Sequence, residues 1–151
     1  RPAEDAGVRV ARLRTGLPLD RDGGMLKPQL LPMRLGVSGR LGSGRQWWPC
    51  LSMADFLDAV AFVLARDDVA GPVNVVGPAP VTNAEFTREL ARQLHRPAFL
   101  RVPAVALKVA LGGFAVEALS SSRVLPGVLT RAGFQYRHPD LPSALHAALT
   151  T

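Results

Sequence analysis

The stretch VTNAEF fixes where one helix of this chain begins, and its surroundings indicate the fold class. Thr82 and Glu85 have the spacing of a capping box, in which each side chain accepts a hydrogen bond from the other residue's backbone N–H. Val81 and Phe86 occupy the apolar positions on either side of the cap. Just before it, the β-branched run GPVNVVG (71–77) predicts a buried strand. The sequence therefore places a strand, a loop and a capped helix in succession.

A second helix is predicted over residues 52–68. Ser52 has the side chain of an N-cap, and Asp55, three positions later, places a carboxylate where it interacts favourably with the helix dipole. Apolar residues then recur at helical spacing, so they are expected to form the buried face: Phe56, Val60, Val63 and Leu64.

The other segments alternate between strand and helix patterns. Residues 8–19 alternate apolar and basic side chains, which predicts a strand that the Gly16–Pro18 break ends. Residues 25–36 are apolar but contain two prolines, so they form either a broken helix or an irregular loop. The remaining expected elements are an aromatic strand within 39–52, a strand over 97–103, and helices over 121–134 and about 142–149. This order predicts an α/β fold.

The composition limits the classes of partner. The formal net charge is +6, but no run of Lys or Arg exceeds two residues, so an Arg-rich protein without a nucleic-acid partner is favoured. The single cysteine, Cys50, cannot form an internal disulfide, is expected to pack as a small apolar residue and fits a cytoplasmic location. Three histidines lie far apart with no acidic partner at ligand spacing, so no metal site is predicted: His95, His138 and His146.

No membrane partner is expected either. A membrane-spanning helix needs roughly 20 apolar residues. The nearest candidate, residues 102–119, is interrupted by Lys108, two glycines and Glu117. Two short core helices are the better interpretation of this segment.

Four segments together carry a resemblance to a known family. They are VRVARLRTGLPL, GRLGSGRQWWPCLSMADFLDAV, the stretch from GPVNVVG to GGFAVEAL, and SSRVLPGVLTRAGFQYRHPDLPSALHAAL. In this order they resemble the C-terminal portion of atypical short-chain dehydrogenase/reductases. These NAD(P)-dependent, nucleoside-diphosphate-sugar-epimerase-like proteins end in a domain of unknown function.

The resemblance implies how the chain is organised. It would be a single C-terminal segment, residues 1–151, of an extended NAD(P)-binding Rossmann-type fold. Residues 1–77 would supply late Rossmann strands with a substrate-side loop and helix. Residues 78–151 would form a mostly helical C-terminal subdomain.

The resemblance also implies what these residues do not supply. Extended dehydrogenases carry a glycine-rich dinucleotide turn and a Tyr-x-x-x-Lys pair. Here GRLGSGR has the wrong glycine spacing, and the single tyrosine, Tyr136, has Asp140 four positions later. Relatives also tend to show a His and paired acids where this chain has Ser52 to Asp55, so a contact through that His would be lost. No catalytic residue is therefore assigned, and the nucleotide-binding half is expected upstream or lost.

Cofactor contacts follow from the same resemblance. The turn after the late strand passes near the nicotinamide in extended dehydrogenases. In the intact protein, Arg14, Thr15, Gly16 and Leu17 would line that end of NAD or NADP. The alternative is an ordinary strand exit, and the chain alone is not expected to bind the cofactor.

Substrate contacts are expected from the aromatic strand. Trp47 and Gln46, with Arg45 beside them, suit a flat polar ligand such as a sugar or nucleotide. Because Trp47 and Trp48 are adjacent on a strand, at most one can face a pocket. Core packing of both tryptophans is the alternative.

Two further residues complete the expected substrate site. Arg123 could pair with a diphosphate at a pocket rim, or be a solvated surface arginine. Asn83 is the residue that the capping box leaves unexplained, so it is either a substrate contact or part of the scaffold.

The sequence thus predicts the substrate-side part of an NAD(P)-dependent sugar-nucleotide epimerase/dehydratase-like oxidoreductase, inactive alone. Its partners would be a small-molecule substrate, such as a nucleotide-sugar, and either a dinucleotide-binding half or a second copy. Cut strands expose sheet edges, which favours association. The alternative is a non-catalytic binding or regulatory module, in line with the cell-division-inhibitor label of some relatives.

Overall fold

The computed structural model describes residues 2–103, 105 and 114–150, and it has the predicted α/β architecture. The strands are β1 (Ala11–Thr15), β2 (Leu17–Leu19), β3 (Gly39–Leu41), β4 (Trp47–Trp48), β5 (Cys50–Ser52), β6 (Gly71–Val75), β7 (Val81–Thr82) and β8 (Leu100–Val102). The helices are α1 (Pro2–Asp5), α2 (Lys27–Arg34), α3 (Met53–Leu64), α4 (Asn83–Gln93), α5 (Phe114–Leu119), α6 (Gly127–Arg131) and α7 (Leu141–Thr150).

The strands pair two by two. The pairs β1–β6, β2–β5 and β3–β8 are parallel, whereas β4–β7 is antiparallel. In the first pair Thr15 lies opposite Val75, so β1 and β6 end side by side. This shared carboxyl end is where the candidate site forms.

Gly16 links β1 to β2, whereas the sequence predicted that the strand would end there. Its N–H donates to the carbonyl of Val75 at 2.9 Å, and the N–H of Leu17 donates to the carbonyl of Pro49 at 2.8 Å. The chain thus switches at Gly16 from pairing with β6 to pairing with β5. A Cβ at position 16 would lie 2.2 Å from the Pro49 oxygen, so only glycine allows this approach. Pro18 does not prevent β2 from pairing with β5.

The two prolines of residues 25–36 do not prevent a helix. Pro28 lies in the first turn of α2, where a missing N–H costs little. Pro32 is inside the helix, which nevertheless continues to Arg34. Leu30 and Met33 are buried, and their burial compensates for the interrupted hydrogen bonding.

Helix α3 begins as predicted, but its buried face differs from the prediction. Ser52 is the N-cap, and its side chain accepts a hydrogen bond from the N–H of Asp55. The buried residues are Asp55, Ala59 and Val63. Leu64, which was expected in this face, is 71% exposed because the face advances four residues at a time and bypasses it.

The capping box of α4 is confirmed. The N–H of Thr82 donates to Glu85 Oε2 at 2.7 Å, and the N–H of Glu85 donates to Thr82 Oγ1 at 3.3 Å. Phe86 and Leu90 are fully buried, and Trp48 meets Phe86 edge-on with ring centroids 5.1 Å apart. The cap therefore positions α4 against the aromatic strand.

Two apolar clusters form the interior. One is built on α2, α4 and α7, with Trp48 and Phe86 among its members. The other packs α3 and β6 against Leu129 and Phe134. The two clusters do not correspond to separate stretches of the sequence, because Cys50 belongs to the first cluster and the next residue, Leu51, to the second.

The helix predicted over residues 121–134 forms only at 127–131, and residues 120–126 are not helical. Pro126 disfavours helical geometry in the preceding residue. The extended segment instead pairs with β4, since the N–H of Ser122 donates to the carbonyl of Trp47 at 3.1 Å. Ser121 Oγ accepts from the N–H of Trp47, also at 3.1 Å.

The core helices expected over 102–119 lie partly outside the described residues. Within the described part, Phe114–Leu119 is helical, and Ala115 and Ala118 are buried. No helix in the described part of the chain is long and apolar enough to cross a membrane.

Candidate functional site

A groove of about 360 Å³ lies at the carboxyl ends of β1 and β6. In open α/β sheets this edge is where ligands bind. The lining residues come from β1 and its exit, the aromatic strand, β6 and the extended segment: Arg14, Thr15, Gly16, Leu17, Trp47, Trp48, Pro49, Asn74, Val76, Ser120, Ser122 and Val124.

The floor of the groove carries a polar pair. Arg14 and Asn74 are register partners on the two parallel strands, so their side chains lie on the same face of the sheet. The Asn74 side-chain N–H donates to the carbonyl of Leu125 at 3.2 Å. This bond ties the extended segment to the sheet, and Arg14 and Asn74 both line the groove.

Trp47 lines one side of the groove, and Arg123, which is not among the lining residues, lies against its ring. The guanidinium carbon of Arg123 lies 5.2 Å from the Trp47 ring centroid, within the range of a cation–π contact. The neighbouring Trp48 is 2% exposed, and its ring packs against Phe86 in the interior. Both tryptophans are among the lining residues, Trp47 half-buried and Trp48 buried. Arg123 is a partnered arginine beside the groove, and its partner is an aromatic face.

The structure brings the four expected cofactor-side residues together on this groove. Arg14, Thr15, Gly16 and Leu17 all line it, as does Trp47. Arg45 does not, because it lies exposed on the turn before β4.

Gln46 and Asn83 lie in the interior, not on the groove where they were expected. The N–H of Leu41 donates to Asn83 Oδ1 at 2.8 Å, and Gln46 Nε2 donates to the carbonyl of Leu41 at 3.1 Å. Both side chains are buried. Because buried backbone groups need partners, these two residues hold β3 in place. Asn83 Oδ1 thus has a structural role, whereas the buried Nδ2 of the same side chain has no hydrogen-bond partner among the described residues.

A buried polar cluster that the sequence interpretation missed joins α3 to the C-terminal segment. Asp55, with no exposed surface, accepts hydrogen bonds from the backbone N–H groups of Arg137 at 2.7 Å and His138 at 3.1 Å. Ser52 Oγ donates to Asp55 Oδ2 at 2.7 Å. His138 Nδ1 lies 2.9 Å from Ser52 Oγ and 3.6 Å from Asp55 Oδ2. His138 therefore does have an acidic neighbour.

This Ser–His–Asp combination is not arranged for nucleophilic catalysis. The Ser52 hydroxyl is 1% exposed and its hydrogen is directed at Asp55, so it has no proton to pass to the imidazole. His138 Nδ1 then donates to Ser52 Oγ, which is already an acceptor of the Asp55 N–H. The cluster connects residues 82 to 86 positions apart in the chain.

Tyr136 and Cys50 are also unsuited to acid–base or nucleophilic chemistry. Burial raises the pKa of Tyr136 well above its ordinary value, with the charge of Asp55 adding to the effect. Its hydroxyl donates to the carbonyl of Val76 at 2.8 Å. Burial raises the pKa of Cys50 to about 12, so its thiol stays protonated. In the described residues no group of three or more His, Cys, Asp or Glu side chains could hold a metal ion.

Comparison with known proteins places the chain. The domain of unknown function DUF1731 matches residues 102–148. An epimerase family protein of Mycobacterium bovis is 45% identical over 151 residues, which cover 99% of this chain and 50% of the relative. The structure of human epimerase family protein SDR39U1 with NADPH matches with a TM-score of 0.88 at 34% identity, covering 95% of this chain and 50% of the human one.

The chain belongs to the epimerase family. It spans about half the length of the curated relatives it matches, and it corresponds to their C-terminal portion. A nucleoside-diphosphate sugar epimerase structure from Corynebacterium glutamicum matches with a TM-score of 0.75 at 32% identity, covering 98% of this chain and 28% of that one. The α/β fold of this chain thus matches about half of the human epimerase family structure that was solved with NADPH.

Proposed function

We propose that this epimerase-family chain supplies the substrate-facing half of an NAD(P)-dependent, sugar-nucleotide epimerase- or dehydratase-like oxidoreductase. The observation that carries the proposal is the groove at the paired carboxyl ends of β1 and β6. Its lining combines a cation, a flat aromatic ring and hydroxyls, which suits a ligand that is planar at one end and polar at the other.

The groove residues fit the nicotinamide end of a dinucleotide. Thr15 and Asn74 offer polar groups to a carboxamide, and Gly16 brings backbone close to the groove without a side chain in the way. The human relative was solved with NADPH, and it is matched over 95% of this chain. When bound, the nicotinamide would accept or donate a hydride. Arg14 would place a positive charge beside the nicotinamide end of the cofactor.

The substrate would lie on the Trp47 side. Trp47 lines the groove and suits a sugar or base ring, and Arg123, held over one face of that ring outside the groove lining, has donors left for a phosphate oxygen. Ser120 and Ser122 border the same wall. These contacts would orient a nucleotide-sugar and exclude water from one side of it.

The acid–base group would come from elsewhere. Tyr136 and Cys50 have pKa values raised by burial, and the Asp55 cluster is enclosed by its own hydrogen bonds. The chain is therefore proposed to be inactive alone and to work beside a dinucleotide-binding half.

The surface beside β1 suits such a neighbour. In the described residues β1 pairs only with β6, so its other edge offers unpaired backbone groups. A concavity of about 280 Å³ is lined by residues of β1 and α3, and Leu13 and Leu64 are exposed there at 38% and 71%. A strand from the other half would cover these apolar groups. A second copy of this chain is the alternative occupant.

The test uses calorimetric titration with NADPH. The 151-residue chain alone is expected not to bind at micromolar affinity. A chimera in which this chain replaces the matching half of the Mycobacterium bovis relative is expected to bind. Arg14→Gln in the chimera should weaken binding about tenfold, the effect of losing one charge-assisted hydrogen bond.

Arg45→Gln is the matched control, because it removes the same charge from an exposed turn outside the groove. Micromolar binding by the chain alone would contradict the division into two halves. Equal losses in the two arginine variants would show that the groove is not the cofactor site.

A further inference from the structure

Three arginines converge on the face of the β3–β8 pair, away from the groove. Arg40 and Arg101 are register partners on these parallel strands, so their side chains project from the same face. Like charges placed opposite one another destabilise a sheet. Arg88, on α4, borders the same concavity as Arg40. Folding thus assembles positive charge from three elements at a cost in stability.

Little negative charge compensates for it. Among the side chains that the structure describes, no carboxylate forms an ion pair with Arg40, Arg88 or Arg101. The charge of Arg88 helps to lower the pKa of Glu85, but that carboxylate is already hydrogen-bonded to the N–H and hydroxyl of Thr82. The guanidinium groups therefore keep donors for another anion.

The concavity beside them has a volume of about 270 Å³ and combines polar and apolar walls. It is lined by Arg40, Ala84, Thr87, Arg88, Ala98, Phe99 and Leu100. The stem of Arg40 passes close to Gly44, where an added Cβ would meet its Cδ at 3.2 Å. Thr87 is 3% exposed, and its hydroxyl has no partner in the described structure.

Phe99 supplies an uncovered aromatic ring at the edge of this concavity. It is 93% exposed, the most exposed of the large apolar side chains described, and Leu100 beside it is 50% exposed. An aromatic ring left in water next to unpaired arginines is the combination that binds a planar group joined to a phosphate.

We propose that this arginine–phenylalanine site binds a small phosphate monoester that carries a planar ring. The phosphate lies between Arg40 and Arg101 with Arg88 at its side, and the ring packs on Phe99. The site shares no residue with the groove, so it stands independently of the proposed oxidoreductase function.

A small ligand is favoured over a nucleic acid strand. Arg40 and Arg88 line one concavity, and Arg101 is the register partner of Arg40, whereas a single strand needs a cationic track several nucleotides long with several stacking rings. The described residues that line the site include one aromatic ring, Phe99.

The experiment is titration of the 151-residue chain with phenyl phosphate, followed by amide chemical shifts and by calorimetry. Binding below about 1 mM is expected, with shifts confined to residues near 40, 84–88 and 98–101. Arg40→Gln and Arg101→Gln should each weaken binding at least about fivefold. Phe99→Ser should reduce affinity for phenyl phosphate while leaving the weaker binding of inorganic phosphate unchanged.

Arg131→Gln is the matched control, because it removes one charge from an exposed arginine on α6 outside the site and should leave binding unchanged. An equal loss in this control would mean non-specific charge attraction and would overturn the proposal. Absence of phenyl phosphate binding would also overturn it, as would Arg40-dependent binding of a single-stranded oligonucleotide alone. Circular dichroism checks that each variant is folded.

Discussion

Replacing Asp55 by asparagine tests how much the buried cluster contributes to stability. Asp55 accepts the N–H groups of Arg137 and His138 and the hydroxyl of Ser52, and none of its surface is exposed. Asparagine has the same shape but directs an N–H₂ group at one of these donors. The donors that faced the replaced oxygen then lose their acceptor, and they face the N–H₂ group, which is itself a donor.

The expected cost follows from the bonds that are lost. A hydrogen bond to a charged group contributes about 1.5–3 kcal/mol, and a buried donor left without a partner costs about 1–3 kcal/mol. Since the Oδ2 side carries two of the three donors, Asp55→Asn should destabilise the fold by about 3–5 kcal/mol. For a chain of this length that lowers Tm by about 6–20 °C.

Urea and thermal unfolding followed by circular dichroism measure this difference. The control is Asp58→Asn, one turn further along α3, where the carboxylate pairs with Arg137 at 2.5 Å but is 36% exposed. Exposed ion pairs contribute about 0–1 kcal/mol, so this variant should stay close to the parent chain. A cost for Asp55→Asn below about 1 kcal/mol, or equal to that of Asp58→Asn, would refute the role assigned to the cluster.

Thr82→Ala should cost about 1 kcal/mol in urea unfolding through loss of the N-cap. The hydrogen bond from the backbone N–H of Thr82 lowers the pKa of Glu85. The parent chain should therefore be more stable than Glu85→Gln at neutral pH, and this difference in unfolding free energy should shrink as pH falls from 4.5 through the lowered folded-state pKa. Cys50 should resist iodoacetamide near pH 8 until denaturant is added, because burial raises its pKa to about 12. Gly16→Ala should destabilise by about 2 kcal/mol or more, since its Cβ would lie 2.2 Å from a carbonyl oxygen, whereas Gly23→Ala, with 3.4 Å to its nearest neighbour, should be tolerated in the same assay.

Features decided within a few residues were predictable from the sequence. The capping box needs only Thr82 and Glu85, and the N-cap of α3 needs only Ser52 and the residues after it. The strand GPVNVVG was equally clear, because β-branched residues between glycines indicate a buried strand without reference to the rest of the chain. Such local signals gave the order of elements and hence the α/β class.

Features decided by distant residues were not predictable in this way. Asp55 has the local appearance of a helix-dipole carboxylate, and only folding shows that it serves Arg137 and His138. Gln46 and Asn83 have side chains suited to a ligand, and either could have been one of its contacts. Their partner proved to be the backbone of Leu41, a residue that no local pattern singles out.

The extended segment before α6 shows how such a distant contact shapes the site. As a helix, residues 121–126 would satisfy their own backbone groups and leave β4 without its second partner. Because the segment is extended, Ser121 Oγ accepts from the N–H of Trp47 and the N–H of Ser122 donates to its carbonyl. Arg123 follows directly and is thereby brought to the Trp47 ring. The guanidinium of Arg123 lies beside the groove because residues 120–126 are not helical. The local pattern favoured a helix there, and it therefore gave no sign that this segment borders the site.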